Sequence, residues 1–277
     1  RTFNFGISRS TYWLLFELTW RGNEENAAPL TRLLEINYPP LDHISLFHFD
    51  RAGKLVELAS GDNLPFRQRP VMHNGYLFPL QLHAGETKRF LLKVESGGSI
   101  RVPLTLWEAD YFHEQNRAFL LLFGTYFGIV ALMFIYNLIL YLFIRDNTYL
   151  YYILYIASFM FFQSSYNGFA FQYLWPDFPA LNNAVVNPSI FLVLIFGAQF
   201  SRQVLETGST LKSLDQILRW TIIGCVLMTG LCLVVSYATM LYLALLSMLL
   251  SVIAIMVAAC INSWRGIRTA QLFLLAW

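Results

Sequence analysis

The chain has 277 residues, 56% hydrophobic and 13% charged, with a formal net charge of +2 and a mean hydropathy of +0.49. A soluble domain carries roughly 25% charged residues, so this composition excludes an ordinary soluble enzyme and marks a membrane protein, or part of one. The charge is unevenly placed: of 36 charged residues, 26 fall in residues 1–117, balanced in sign, and 10 in residues 118–277. With no net charge and no basic stripe, the first part gives nucleic acid no footing.

All five His lie in that first part, and all three Cys (Cys225, Cys232, Cys260) lie in apolar runs of the second. The expected organisation is a polar domain over 1–112 and a membrane domain over 113–277. Arg1 leads straight into a strand-like stretch, "RTFNFGISRSTYWLLFELTW", so a leader removed ahead of it is expected.

Residues 1–112 have a hydrophobic period of two. In "YWLLFELTW", Tyr12, Leu14, Phe16, Leu18 and Trp20 share one face. "LLEINY", "HISLFHF", "KLVELAS", "YLFPLQL", "KRFLLKVES" and "RVPLTLW" follow, separated by turn signals such as "YPPLD", "DRAG", "HAGET" and "SGGS". About eight short strands in this length predict a β-sandwich, either Ig-like or jelly-roll, and pattern alone does not choose. His43 and His48 are five apart and so face opposite sides of a strand, which is poor geometry for a shared metal. No phosphate loop, nucleophile elbow or paired-carboxylate signature is present, and neither metal nor cofactor is expected. The aromatic residues Tyr12, Trp13, Trp20 and Trp107 fit a core, or stack on a sugar ring. Trp13, His43, Arg101 and Trp107 are the candidate ligand contacts.

The second part predicts helices over 118–144, 149–172, 187–205, 220–237 and 240–262, and the start of a sixth over 270–277. Each complete one is close to the 20 residues a bilayer crossing needs. A stop this early in a sixth helix sets the expectation of a fragment. Arg145, Arg202, Lys212, Arg219, Arg265 and Arg268 all fall in one set of alternate loops, and none falls in the other. The positive-inside rule then puts the first set in the cytoplasm and the N-terminal domain outside. "FQSSYNGF" closes the second helix, and Gln163 lies about 21 Å along it from Tyr149, in the outer half of the membrane. Gln163, Tyr166, Asn167 and Ala170 share one helix face. Such a face fits interhelical hydrogen bonding, or the floor of a crevice that couples outside to inside. The helix cores carry no Asp, Glu, Lys, Arg or His, which disfavours a coupled transporter and a membrane-embedded enzyme.

"YFGIVALMFIYNLILYLFIRDNTYLYYILYIASF" followed by "NGFAFQYLWPD" resembles the membrane domain of the bacterial seven-transmembrane receptors with diverse intracellular signalling modules (7TMR-DISM). "YWLLFEL", "EINYPPLDHISLF", "SGDNLPFRQRP" and "FPLQLHAGETKRFLLKVESGGSIRVPLTLW" resemble that family's second type of extracellular domain. The resemblance implies a periplasmic jelly-roll sandwich akin to carbohydrate-binding modules, a polytopic helical bundle in the bacterial inner membrane, and a cytoplasmic output module, often a diguanylate cyclase or a histidine kinase. It implies no catalytic residue in this chain. Tyr136, Asn137, Arg145, Asp146, Gln163, Tyr166 and Asn167 are the candidate coupling residues. Expected partners are membrane lipid, a carbohydrate, small molecule or protein at the external domain, and a second copy in a homodimer. The rival function is a transporter or channel with an external substrate-binding domain.

Overall fold

The computed structural model describes residues 2–8, 10–21, 30–232 and 234–276. Eight strands come first: β1 (Thr2–Ile7), β2 (Tyr12–Thr19), β3 (Leu30–Ile36), β4 (His43–Phe49), β5 (Leu55–Ser60), β6 (Tyr76–Leu82), β7 (Thr87–Glu95) and β8 (Ser99–Glu108). They form two antiparallel sheets, ordered β1-β8-β3-β6 and β2-β7-β4-β5. That order is the jelly roll, which resolves the alternative left open by periodicity. β2 alternates half-buried and exposed residues along its whole length, as a strand with one face on a core must.

The inward faces of the two sheets meet in a core that includes Ile36, Ile44, Leu46, Phe78, Phe90, Leu92, Ile100 and Val102. β8 pairs with β1 over Ser99–Pro103 and with β3 over Leu104–Glu108. Pro103 sits at this handover, where a residue without an N–H is tolerated. His43 is exposed, whereas His48 is half-buried and meets Phe90 edge-on at 5.7 Å. The five-residue spacing thus separates them onto two faces.

The helices are α1 (Ala109–Ile144), α2 (Asn147–Tyr166), α3 (Phe169–Tyr173), α4 (Pro179–Val204), α5 (Thr207–Thr210), α6 (Lys212–Leu231), α7 (Tyr237–Trp264) and α8 (Arg268–Ala276). Among the described residues, α1, α4, α6 and α7 are long and apolar enough to cross a membrane. α2 is not one of them: its 20 residues carry four Tyr before Gln163, Ser164 and Ser165. Sequence periodicity carries the second helix to residue 172, but it stops at Tyr166 and restarts as α3 after Gly168, which is left-handed at φ 78°.

The chain divides into two compact units. One is residues 1–123 with 164–183, so the connection from α2 to α4 belongs with the sandwich. The other is residues 124–163 with 184–277. Within that second unit, Ala254, Ala258 and Ala259 are buried with Ala198, Leu218 and Phe273. Small residues at such a seam let membrane helices approach closely without a hydrophobic driving force.

Candidate functional site

The site is built on the connection between β5 and β6. Residues 61–75 make a 3-10 turn at Phe66–Gln68 and then place Arg69, 6% exposed, inside the domain. Its Nη1 donates to the carbonyls of His73 (2.8 Å), Asn74 (3.1 Å) and Gly75 (3.4 Å). Its guanidinium carbon lies 4.3 Å from the Phe66 ring centre, 4.6 Å from Tyr76 and 5.5 Å from Phe171. Burial lowers its pKa, but a guanidinium stays charged in any protein environment. Carbonyl dipoles and ring faces therefore compensate a cation that has no salt bridge among the described residues.

Phe171 comes from α3, in the connection between α2 and α4. It is buried and meets Phe66 edge-on at 5.6 Å. Around it, the backbone N–H of Phe66 donates to the Pro176 carbonyl at 2.8 Å. Asn74 Nδ2 donates to the Asn167 carbonyl at 3.1 Å. Arg67 pairs with Asp177 at 3.1 Å, and Asn183 donates to Asn63. Gly168 makes the approach possible: a Cβ there would stand 3.0 Å from the Asn74 carbonyl oxygen and 3.3 Å from Pro39. Beside it Tyr38 of the sandwich faces Tyr166, and burial followed by the neighbouring Tyr166 raises the Tyr38 pKa.

The same connection also holds the start of α1. His73 Nε2 donates to Asn116 Oδ1 at 3.1 Å while its Nδ1 accepts from the Gly75 N–H at 3.0 Å, an assignment that fits the neutral ring. Burial is the main reason its pKa is lowered. Phe112 packs in a cluster with Leu33 and Leu77, flanked by Trp107. Trp107 Nε1 donates to Glu35 Oε2 at 2.6 Å. Residues 73–75 thus touch the first helix through His73 and the α2–α4 segment through Asn74, and their three carbonyls hold Arg69.

The candidate ligand residues do not form one pocket. Trp13 is 53% exposed on the outer face of the β2-β7-β4-β5 sheet, stacked on Phe47 at 6.1 Å, with Lys93 over it at 5.7 Å. His43 belongs to that sheet as well. Arg101 and Trp107 lie on the other sheet, six residues apart on β8 and so about 20 Å from each other. Trp107 is committed to Glu35 and Phe112, while Arg101 stands near Tyr38.

The candidate coupling residues separate as well. Tyr166 and Asn167 meet the sandwich. Asn137 spends its amide on the Met133 carbonyl of its own helix at 2.8 Å, and Tyr136 is exposed. Arg145, at φ 59°, ends α1, and Asp146 accepts from the Thr148 N–H at 2.8 Å to open α2. This pair makes a helix stop and a helix cap. Gln163 lies in the other unit. Arg69, Phe171 and His73 carry no motif that would single them out in sequence. The only local hint is an arginine set among aromatic residues, in a connection longer than a turn needs.

In the second unit, Asp215 accepts from Arg202 (2.8 Å), Arg219 (2.7 Å) and Thr207 (2.8 Å). Arg202, Asp215 and Arg219, with Glu206 and Ser209, line a cavity of about 270 Å³. Its two arginines and two carboxylates balance in charge, and of its ion pairs Arg202–Asp215 is largely buried while Arg219 is 60% exposed. Among the described residues no group of three His, Cys, Asp or Glu could hold a metal ion.

Two family models match the chain. One, described as 7TM diverse intracellular signalling, covers residues 119–277. The other, described as 7TMR-DISM extracellular 2, covers residues 1–108. No curated protein matches. A jelly-roll domain of an extracellular family followed by membrane-crossing helices makes this a membrane protein with an external N-terminal domain. The chain belongs to the receptor family of 7TM diverse intracellular signalling, and its N-terminal sandwich is that family's second type of extracellular domain.

Proposed function

We propose that this chain is the sensing and relay part of a receptor in the bacterial inner membrane, with the sandwich in the periplasm and an output module in the cytoplasm, a diguanylate cyclase or a histidine kinase. The observation that carries this reading is the 61–75 connection. One short stretch of the sandwich holds both the first turns of α1, through His73 and Asn116, and the segment between α2 and α4, through Arg69, Asn74 and Phe66. A ligand that binds two arrangements of this connection with different affinity shifts the population of the helices attached to it.

The exposed Trp13 indole, with Phe47 behind it and Lys93 above, supports a carbohydrate as the ligand, since sugar rings stack on such a surface. A protein partner on that sheet, or a second copy of the chain, would act through the same relay.

The test uses the full-length protein in lipid vesicles, with cyclic dinucleotide synthesis or phosphotransfer as readout, against a panel of oligosaccharides. Activity that changes with one glycan, and no longer does so in Trp13→Ala, supports the reading. Solute flux across the vesicle without any change in output would replace it with the transporter.

A further inference from the structure

A second buried group stands beside Arg69. Asp62 lies just after β5 and is 5% exposed, and its Oδ1 has no hydrogen-bond partner among the described residues. Arg69 Nε is also buried and without a partner. Three groups face Asp62: Asp42 from the connection between β3 and β4, Arg69 from its own connection, and Tyr76 from the start of β6.

The backbone holds the two carboxyls together. The Asp62 N–H donates to the Leu41 carbonyl at 2.9 Å, and the Asn63 N–H donates to the Asp42 carbonyl at 3.2 Å. Gly61, at φ 147°, passes so near that an added Cβ would lie 2.1 Å from the Asp42 carbonyl oxygen. Asp42 Oδ2 accepts from the Gly97 N–H at 2.7 Å. Asp62 is buried while Asp42 is half-buried, and a carboxyl out of water beside a second carboxyl ionises less readily.

We propose that Asp62 keeps a proton beside the Asp42 carboxyl, and that loss of this proton draws Arg69 out of its cage of rings toward Asp62, releasing Phe171 and the α2–α4 segment. The inference rests on the reading above that docking of this segment carries the signal.

With the proton in place, Asp62 is neutral and the guanidinium is compensated by the ring faces, the carbonyls of residues 73–75 and the Tyr76 side chain. When the proton leaves to water, a buried carboxylate oxygen without a donor is left in the electrostatic neighbourhood of a buried N–H without an acceptor. A charge-assisted hydrogen bond between them compensates both. Phe171 is the most distant of the three rings at 5.5 Å, so it is the first contact a turning guanidinium loses.

Burial, then the neighbouring Asp42 charge, push the Asp62 pKa up to about 8, and Arg69 opposes them. The folded state therefore holds the proton more tightly than the unfolded chain. Docking is complete below about 8 and is lost as pH rises through it. Global stability declines as pH rises from the ordinary value of 3.8 to about 8 and is level above. His73 titrates below its ordinary 6.5 and Tyr76 well above 10, so neither falls at the docking midpoint, and His73 opposes the stability trend only below 6.5.

The experiment is a fluorine NMR titration of the chain in lipid nanodiscs, with 4-fluorophenylalanine at position 171, from pH 6 to 9.5. The wild type is expected to shift with a midpoint near 8. Asp42→Asn should move the midpoint down by about one pH unit or more, and Asp62→Asn should abolish it. A flat wild-type titration overturns the proposal, as does a midpoint unmoved in Asp42→Asn or preserved in Asp62→Asn. Output from the full-length protein is read separately at the same pH values. A fluorine transition with unchanged output would sink the receptor reading and leave the proton latch standing.

Discussion

Replacing Arg69 with Met is the sharpest perturbation of the relay, because Met keeps the length and the apolar contacts while removing the cation and its donors. Arg69 Nη1 has two hydrogens, so the carbonyls at 2.8 and 3.1 Å are the bonds that count. Hydrogen bonds to a charged group contribute about 1.5–3 kcal/mol each, and contacts with the three rings add about 0.5–2 kcal/mol. Met no longer carries the desolvation cost of a buried cation, which returns several kcal/mol.

The net loss is about 2–4 kcal/mol, or roughly a 30- to 1,000-fold rise in opening of the docked segment at 1.4 kcal/mol per tenfold. Hydrogen exchange in nanodiscs reads it directly. The Gln172 and Leu174 amides, bonded to the Gly168 and Ala170 carbonyls, should exchange faster by that factor, while amides in α7 stay protected. A change under about threefold at these two amides, or equal acceleration in α7, would refute the argument. Arg69→Lys keeps the charge but loses the planar fork, and should fall between wild type and Met.

Further expectations concern other parts of the chain. Gly168→Ala forces a left-handed residue and a Cβ 3.0 Å from a carbonyl oxygen; it should cost about 1–3 kcal/mol and raise protease cleavage within 164–183, and unchanged cleavage would count against the docking geometry. Acidification below the ordinary His73 value of 6.5 should weaken the hold on α1, because burial keeps the ring neutral and the proton would displace the Gly75 N–H from Nδ1; in Asp62→Asn, which removes the opposing Asp62 titration, a thermal midpoint level from pH 7 to 5, or one equally acid-labile once His73→Gln is added, would contradict this. Asp215→Asn leaves Arg202 buried without its carboxylate and should destabilise the membrane unit by about 3–5 kcal/mol, whereas Arg219→Gln, at a 60% exposed partner, should cost under about 1 kcal/mol; equal losses in thermal unfolding would reject the distinction. Leu46→Ala empties a fully buried site between the sheets and should cost about 2–5 kcal/mol, measured as a lower thermal midpoint of the full chain.

The sequence alone determined what depends on near neighbours. Alternation in "YWLLFELT" and "HISLFHF" places one face of each strand on a core, and β2 and β4 follow it. Apolar runs of bilayer length locate the helices α1, α4, α6 and α7, because a helix in lipid must satisfy its backbone internally whatever surrounds it, but not their ends: α1 starts at Ala109 rather than 118 and α6 spans Lys212–Leu231 rather than 220–237. The separated "YFG", "RD", "YLYY" and "QYLWP" motifs carried the family. What only the tertiary structure decided depends on contacts between residues far apart in the chain. The jelly-roll order turns on which distant strands pair, such as β1 with β8 and β3 with β6, while the break of the second helix at Gly168 and the membership of 164–183 in the sandwich unit turn on which surface meets Asn74, Phe66 and Pro39. The candidate ligand residues were chosen one strand at a time, so nothing in the sequence could tell that Trp13 and Trp107 lie on different sheets. Arg69 in a soluble loop would be an ordinary surface cation. It becomes the centre of the site because three rings, one of them from a helix that begins a hundred residues later, close over it and exclude water.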